Sequence, residues 1–332
     1  ATSYYIYMAN FLAINVIVAI GLNILVGYAG QVSLGHAGFF AIGAYGTVIL
    51  MTVLHLPFVL ALVLAGLIAA GFGFLLGLPS LRLEGPYLAI ATLAFGEVVR
   101  LSLSAMTFPP GKMFADPANP DLRIGGATAL EFTMAPEQVW GAEYAGYSAG
   151  YASFWVIWVV VLLTYVILRN LKFSRAGRAF MCIREDEIAA QAMGINVPGY
   201  KTISFVLSAA FAGLAGALFF HHQQAISPGD FTLLLSIEVL LMVVLGGQGS
   251  FVGAFLAAVL LRLLRPLLQN VDLSGVSWLP AVMRTSLSEY DQILYAVLLI
   301  VLIRIAPNGM LGTHELPRPL TRRWRPRKGG TP

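Results

Sequence analysis

Cysteine and charged residues are both scarce in this 332-residue chain. The single cysteine, Cys182, excludes an intrachain disulfide framework and a thiolate metal site built by this chain alone. Charged residues make up only 11% of the sequence, whereas a soluble domain carries about 25%. Because so few charges cannot cover the surface of a 35.7 kDa globule, an ordinary cytosolic enzyme and a disordered protein are excluded.

The motifs of several enzyme classes are also missing. The sequence contains no G-x-x-x-x-G-K-[ST] phosphate cradle, no H-E-x-x-H and no G-x-S-x-G. Ser33 and His36 have nucleophile-and-base spacing on a helix, but no orienting carboxylate lies near them. His221 and His222 are adjacent, so their side chains point in different directions and make a poor metal site. The sequence predicts no catalytic residue, no metal site and no cofactor bound by this chain.

Apolar residues dominate instead, at 58% of the chain with a mean hydropathy of +0.80. Crossing a bilayer takes about 20 apolar residues in a helix, and the sequence predicts an all-α polytopic membrane protein, one integral membrane domain over 1–332. The chain opens at Ala1 just before the first span, which leaves open a further N-terminal helix ahead of it. About nine visible spans are predicted, at 4–26, 34–54, 56–78, 86–105, 152–170, 201–222, 232–248, 250–268 and 290–306.

Lysine and arginine in the loops predict the orientation, because cytoplasmic loops carry an excess of both. The loop 171–200 and the tail 313–332 are the basic segments, so both are predicted to be cytoplasmic, with the C-terminus inside. The long loop 106–151, which precedes both, carries more acidic than basic residues and is predicted to be periplasmic. With a pI near 9.2, the basic tail is expected to attract anionic membrane lipid rather than nucleic acid.

Charged residues inside the predicted spans are few. Arg100 follows Glu97 by one helical turn, so the two are expected to pair, whereas Glu238 has no obvious partner in the sequence. An ion-driven transporter would need Glu97 and Glu238 as its ion site. Arg262 and Arg265 fall near the outer end of their span, against the charge bias; either they reach to the interface or the span is shorter.

Two apolar runs are interrupted by glycine and then by G-Q-x-S, at 27–36 and at 245–253. Broken helices are tolerated where protein lines a cavity, and paired breaks in two halves of a chain indicate a transport path. The serine at each restart is predicted to cap the new helix, whose positive N-terminus suits a carboxylate. Short turns at the membrane surface are an equal alternative.

Between the fifth and sixth spans, acidic residues are followed by small ones, a pattern that predicts a short helix over about 184–194. Gly194 fits the position that ends such a helix. An exposed, rigid helix is a natural docking element for a partner; the alternative is a solvated connecting loop.

Taken together, five stretches resemble one family. They are G-L-N-I-L-V-G-Y-A-G-Q-V-S-L-G-H-A-G-F-F-A-I-G-A-Y at 21–45, L-R-L-E-G-P-Y-L-A-I-A-T-L-A-F-G-E-V-V-R at 81–100, G-R-A-F-M-C-I-R-E-D-E-I-A-A-Q-A-M-G-I-N at 177–196, L-S-I-E-V-L-L-M-V-V-L-G-G-Q-G-S at 235–250 and P-N-G-M-L-G at 307–312. In this order they resemble the permease subunits of ATP-binding-cassette importers for branched-chain amino acids, specifically the longer of the two permeases.

The resemblance implies a transport subunit of a bacterial inner membrane, not an enzyme. Its implied partners are a second, related permease, two ATPases that bind ATP and Mg, and a periplasmic substrate-binding protein. The short helix would be the coupling helix seated on an ATPase. Glu187, Ala189, Ala190 and Gly194 match its core, with Arg184 and Asp186 as polar contacts.

The resemblance identifies the family more closely than it identifies the substrate. The resemblance favours branched-chain or similar hydrophobic amino acids, with urea, short amides or aromatic acids as alternatives. A zwitterion needs a site for its carboxylate, which a helix restart would supply. The candidate pathway residues are Asn23, Gln31, Ser33, His36, Gln248 and Ser250.

Overall fold

A computed structural model describes residues 2–81, 83, 85–105, 130–131, 149–223, 225–269, 300, 304 and 309–310. Within these residues the chain is almost entirely helical, which confirms the predicted all-α class. The only strands among them are two residues long, β1 (Leu130–Glu131) and β2 (Ala225–Ile226), which run antiparallel.

Ten α-helices follow one another in this part of the chain. A π-helical turn, Ile24–Tyr28, extends α1, and a 3-10 turn, Pro228–Asp230, precedes α9. The helices are α1 (Thr2–Asn23), α2 (His36–Thr52), α3 (Phe58–Ser80), α4 (Pro86–Ala105), α5 (Ala149–Phe173), α6 (Arg175–Glu185), α7 (Glu187–Ala192), α8 (Val197–Gln223), α9 (Leu233–Gly246) and α10 (Phe251–Gln269).

Six of these segments are long and apolar enough to cross a membrane, and two shorter apolar helices accompany them, among the residues that the structure describes. The six contain α1, α3, α4, α5, α8 and α9, and the shorter two are α2 and α10. These eight correspond to the first eight predicted spans, so the chain is a multi-pass membrane protein. The predicted span 290–306, most of the loop 106–151 and the tail 313–332 lie outside the described residues.

Helix α8 is the centre of the bundle and lies against α1, α2 and α3. Small residues allow the helices to approach closely, as is usual between membrane helices. A Cβ atom added to Gly43 of α2 would stand 2.0 Å from the carbonyl oxygen of Gly213 in α8. One added to Gly216 would stand equally close, 2.0 Å, to the carbonyl oxygen of Phe40. Helices α2 and α8 are therefore in backbone contact.

Two ion pairs lie inside the described spans. Glu97 and Arg100 form the predicted ion pair within α4. Glu238 of α9 also has a partner, Arg262 of α10, with 3.3 Å between Oε2 and Nη2. Arg262 does not reach to the interface: its guanidinium turns into the bundle, where it donates to Asn15 Oδ1 at 2.7 Å. The side chain of Arg265 lies outside the described residues. The two charges satisfy each other between α9 and α10, and the Asn15 amide adds a contact from α1.

Candidate functional site

The two interrupted segments meet in the structure, although more than two hundred residues separate them in the sequence. Asn23, at the end of α1, joins them through its side-chain amide. Its Nδ2 donates to the carbonyl oxygen of Ser250 at 2.9 Å, and its Oδ1 accepts from the Gly249 N–H at 2.9 Å. The Tyr28 hydroxyl donates to the Gly249 carbonyl oxygen at 2.6 Å. One buried amide therefore satisfies a donor and an acceptor that the break in the second helix leaves open.

The contact between the two interruptions requires glycine. A Cβ atom on Gly27 would stand 2.4 Å from the backbone nitrogen of Gly249. Gly247 and Gly249 have φ values of 104° and 89°, in the left-handed region that L side chains avoid. Larger residues here would separate the two segments.

The second interruption, residues 247–250, is short, and the helix that follows it is capped from within the segment. Ser250 Oγ accepts from the Gly253 N–H at 3.0 Å, which is the hydrogen bond of an N-cap residue at the start of α10. The Ser250 N–H in turn donates to the Gly247 carbonyl oxygen at 3.1 Å. The prediction that Ser250 caps the restarted helix is confirmed.

The first interruption, residues 29–35, is longer and depends on other helices. Ser33 was predicted to cap α2, and this was wrong: the residue before α2 is Gly35, and no side chain within the segment bonds the first N–H groups of α2. Instead Ser236 of α9 accepts from the Ala37 N–H at 2.9 Å, and Thr92 of α4 accepts from the Leu34 N–H at 3.0 Å. Ser33 Oγ lies 3.1 Å from His36 Nδ1, so its hydroxyl is a hydrogen-bond partner of the imidazole ring.

Helix α8 supplies the remaining partners of the first interruption. His36 Nε2 lies 2.7 Å from Ser208 Oγ, and Ser204 Oγ donates to Gln31 Oε1 at 3.0 Å. Ser208 is eleven residues into α8, which corresponds to about 16 Å of helix. Helix α2 thus begins well inside the membrane span, and the non-helical backbone before it is lined by protein. The opposite end of the segment is exposed at Gly30 and Val32, so the break runs from an exposed end to the buried start of α2.

Arg184, the penultimate residue of α6, bonds the second interruption and the π-helical turn that leads into the first. Its guanidinium donates through Nη1 to the carbonyl oxygen of Gly27 and through Nη2 to Gln248 Oε1 at 3.4 Å. Gly30 has a φ of 71°, and a Cβ atom there would lie 3.1 Å from Arg184 Cγ. The arginine that the resemblance assigned to an ATPase contact is directed by its geometry towards the helix breaks of its own chain.

The predicted helix over 184–194 is divided at Asp186. This residue has extended backbone, and its Oδ1 accepts from the N–H groups of Ile188 at 2.8 Å and Ala189 at 3.0 Å. Asp186 therefore ends α6 and caps α7, so the helix that follows the acidic cluster begins at Glu187. Gly194 has a φ of 80° and lies just beyond α7, as predicted.

Helix α7 presents one face to its own chain and the other to solvent. Ala190 is 3% exposed and packs with Ile183 and Val197, so its predicted contact with an ATPase is not supported. Glu187 lies 2.6 Å from Lys201 Nζ. Ile188 and Met193, which the sequence interpretation missed, are 81% and 83% exposed. They are the two large apolar residues of the segment 184–194, whose other residues are charged, polar or small, and this pattern could have identified them.

The six candidate pathway residues build the interruptions and do not line an open passage. All are buried except Gln248, which is half-buried, and the contacts above give each of them a partner within the chain. Four hydroxyl residues that complete these contacts were missed, although hydroxyl groups inside apolar spans would have identified them: Thr92, Ser204, Ser208 and Ser236.

The contacts of His36 can be compared with those of a catalytic histidine. His36 is held between two serine hydroxyls, Ser33 and Ser208, with no carboxylate in the set. This arrangement lacks the acid that orients the histidine of a catalytic triad. Across the described segments, no three His, Cys, Asp or Glu side chains come together as a metal site.

Helices that stop and restart within a protein-lined part of the membrane are the architecture of membrane transport proteins. A family model described as "Branched-chain amino acid transport system / permease component" matches residues 4–303. The chain therefore belongs to the family of permease components of branched-chain amino acid transport systems.

Characterised relatives agree with this assignment. The chain is 36% identical over 312 residues to the high-affinity branched-chain amino acid transport system permease protein LivM of Salmonella typhimurium, covering 92% of this chain and 69% of that protein. The identity to LivM of Escherichia coli is also 36%, with the same coverage. Over 162 residues, 48% of each chain, it is 30% identical to the permease protein LivH of Escherichia coli. No solved structure matches the chain.

Proposed function

We propose that this chain is one of two permease subunits of an ATP-driven importer, and that it moves branched-chain or similar hydrophobic amino acids inward by alternating access. Two ATPase subunits bind ATP and Mg and hydrolyse the nucleotide, and a periplasmic binding protein delivers the solute. The other permease is a related chain, in keeping with the similarity to both LivM and LivH. Transport, not catalysis, is the work of this subunit.

The observation that carries the proposal is the position of Arg184. One side chain links the α6–α7 segment to the ends of both broken helices, at Gly27 and at Gln248. A displacement of α6 and α7 therefore acts on both interruptions at once. Such a bridge is what a subunit needs if nucleotide hydrolysis on a partner is to move its membrane helices.

The exposed face of α7 is the proposed ATPase contact. Ile188 and Met193 are large, apolar and open to solvent, and Ala189 leaves room for close seating between them. Asp186, which caps α7, and Glu187, which pairs with Lys201, fix the helix on its own chain. The partner then contacts a rigid apolar surface with a polar border, as is common for protein interfaces.

The α6–α7 side is the proposed cytoplasmic side of a bacterial inner membrane. The basic residues of this segment support that orientation through the positive-inside rule. In this orientation the basic tail 313–332 is cytoplasmic and the loop 106–151 is periplasmic. ATP then reaches the ATPases on the same side as Arg184.

Uptake into proteoliposomes tests the function. Vesicles holding this chain, its co-purified partners and the binding protein are loaded with ATP and given labelled leucine, with valine, urea, benzoate and ribose as competitors. ATP-dependent leucine uptake that only valine blocks is the expected result. ATP-dependent uptake of urea or benzoate would overturn the substrate class. Uptake that ignores ATP and follows an ion gradient would overturn the importer.

Variants of α6 and α7 test the coupling. Arg184→Ala is expected to lower ATP-driven uptake by about tenfold, the size of a typical coupling free energy, while the ATPases still co-purify. Arg169→Ala, an exposed arginine at the end of α5, is the matched control. Ile188→Asp is expected to release the ATPases, whereas Leu54→Asp, exposed between α2 and α3, is not. Equal effects of Arg184→Ala and Arg169→Ala would contradict the proposed bridge.

A further inference from the structure

One side of helix α4 packs against the bundle, and the other side is exposed. Leu88 and Thr92 are buried, and Thr92 bonds the first interruption. The open side follows helical spacing along the whole length of α4, so it forms a continuous stripe. This stripe, called the α4 face below, consists of Tyr87, Ile90, Ala94, Glu97, Val98 and Leu101.

An ion pair lies in the middle of the α4 face. Arg100 Nε donates to Glu97 Oε2 at 3.0 Å, and the side chains of Glu97 and Arg100 are 41% and 27% exposed. Glu97 is eleven residues from the first residue of α4 and eight from the last, or about 16 Å and 12 Å along the helix. The pair is therefore near the middle of the hydrocarbon layer, where partly exposed charges are costly unless protein or water surrounds them.

The outer faces of α3 and α5 give the comparison. On α3 the exposed large side chains include Val63, Leu67 and Leu75, and all of the exposed residues described there are apolar. On α5 the exposed positions from Trp155 to Ile167 are apolar as well, and a charge follows only near the end of the helix, at Arg169. Those two faces suit lipid tails, whereas the α4 face does not.

We propose that the α4 face is the surface against which the second permease subunit packs, with the Glu97–Arg100 pair covered at that interface. The occupant rests on the proposed function, in which two related permeases form one importer. A protein partner offers polar groups to the exposed edge of the ion pair, which lipid tails cannot, and Ala94 allows a helix to approach beside it. The apolar ends of the stripe then pack as an ordinary helix contact.

Photo-crosslinking in membranes tests the assignment directly. The photoreactive residue p-benzoylphenylalanine replaces Ala94 or Val98 on the α4 face, and Leu67 of α3 or Leu163 of α5 as controls, in the full complex. Ala94 and Val98 are expected to yield a covalent product with the second permease, whereas Leu67 and Leu163 yield none. A product with a second copy of this chain, no protein product from α4, or equal products from α3 or α5 would overturn the proposal.

A matched pair of leucines gives a second measurement. Leu101→Trp adds bulk on the α4 face and Leu67→Trp adds it on α3, at positions 52% and 61% exposed. Leu101→Trp is expected to lower the yield of co-purified second permease several-fold while Leu67→Trp leaves it unchanged. Equal yields would contradict the interface. ATP-driven uptake by the unmodified complex is measured in the same membranes, so that failure of the proposed function is seen separately from failure of this surface.

Discussion

The two interrupted helices have similar sequences but are stabilised in different ways. The second, at 247–250, turns within four residues and is capped by its own Ser250. The first, at 29–35, takes its hydrogen bonds from three other helices, through Thr92, Ser204 or Ser208, and Ser236. Besides its own cap, the shorter break takes backbone partners from Asn23 and Tyr28, whereas the longer one takes side-chain partners from three other helices. Both need such partners because no water is available inside a membrane.

The largest expected effect is at Asn23, where the two interruptions share one side chain. Asn23→Ala leaves the Gly249 N–H and the Ser250 carbonyl oxygen without their partner, so the free energy of unfolding should fall by about 2–5 kcal/mol. Thermal unfolding in detergent measures the change. Asn10→Ala is the control, because the buried Asn10 amide has no hydrogen-bond partner among the described residues. Equal losses of stability in the two variants would show that Asn23 does not hold the two interruptions together.

Glycine-to-alanine changes compare the packing of the two breaks. A Cβ atom on Gly35 would stand 2.1 Å from the Thr92 carbonyl oxygen, and one on Gly253 would stand 1.9 Å from the Gly246 carbonyl oxygen. Each contact forces the backbone to move, so Gly35→Ala and Gly253→Ala should each cost about 1–3 kcal/mol of stability. The melting temperature in detergent is the readout. Gly71→Ala, with nothing within 4 Å, should not lower it.

Serine-to-alanine changes separate a local cap from a tertiary one. Ser250→Ala should destabilise by about 1 kcal/mol through loss of the α10 cap, and Ser236→Ala by a similar amount through loss of the bond to the Ala37 N–H. Hydrogen exchange at the starts of α10 and α2 reports each loss separately. If Ser236→Ala left α2 protected, the dependence of the first interruption on α9 would be wrong.

The smallest effect on stability is expected at Ser33, which lies beside His36 and does not cap α2. Ser33→Ala should change the melting temperature less than Ser236→Ala does. Uptake tests its separate role as a pathway residue: if alanine at Ser33 and at Ser250 left ATP-driven uptake unchanged, the helix restarts would no longer be candidates for binding the carboxylate of the solute.

Local sequence was enough for features that depend on nearest neighbours. The apolar runs predicted eight apolar helices, six of them long enough to cross a membrane, because length and hydropathy can be read from contiguous residues. The Glu97–Arg100 pair, the Ser250 cap and the turn at Gly194 were also predicted, since each joins residues within one turn of helix. The family resemblance likewise rested on motifs that are contiguous in the chain.

Features that join distant segments required the tertiary structure. Arg262 had no interpretable place in its own span, because its partners Asn15 and Glu238 belong to helices that only packing brings near. Ala190 was predicted to face a partner and instead faces Ile183 and Val197. Which side of a short helix is buried depends on what packs against it, and the sequence around α7 does not contain that information.

The sequence by itself determined that this chain is a multi-pass membrane permease with two broken helices and a short exposed helix between spans. Only the tertiary structure decided that the two breaks meet at Asn23, that Arg184 connects them to α6, and that α4 keeps a charged face open. Hydropathy and capping act over a few residues and are therefore visible in the sequence. Backbone groups left open by a broken helix must find partners in three dimensions, and those partners are set by packing.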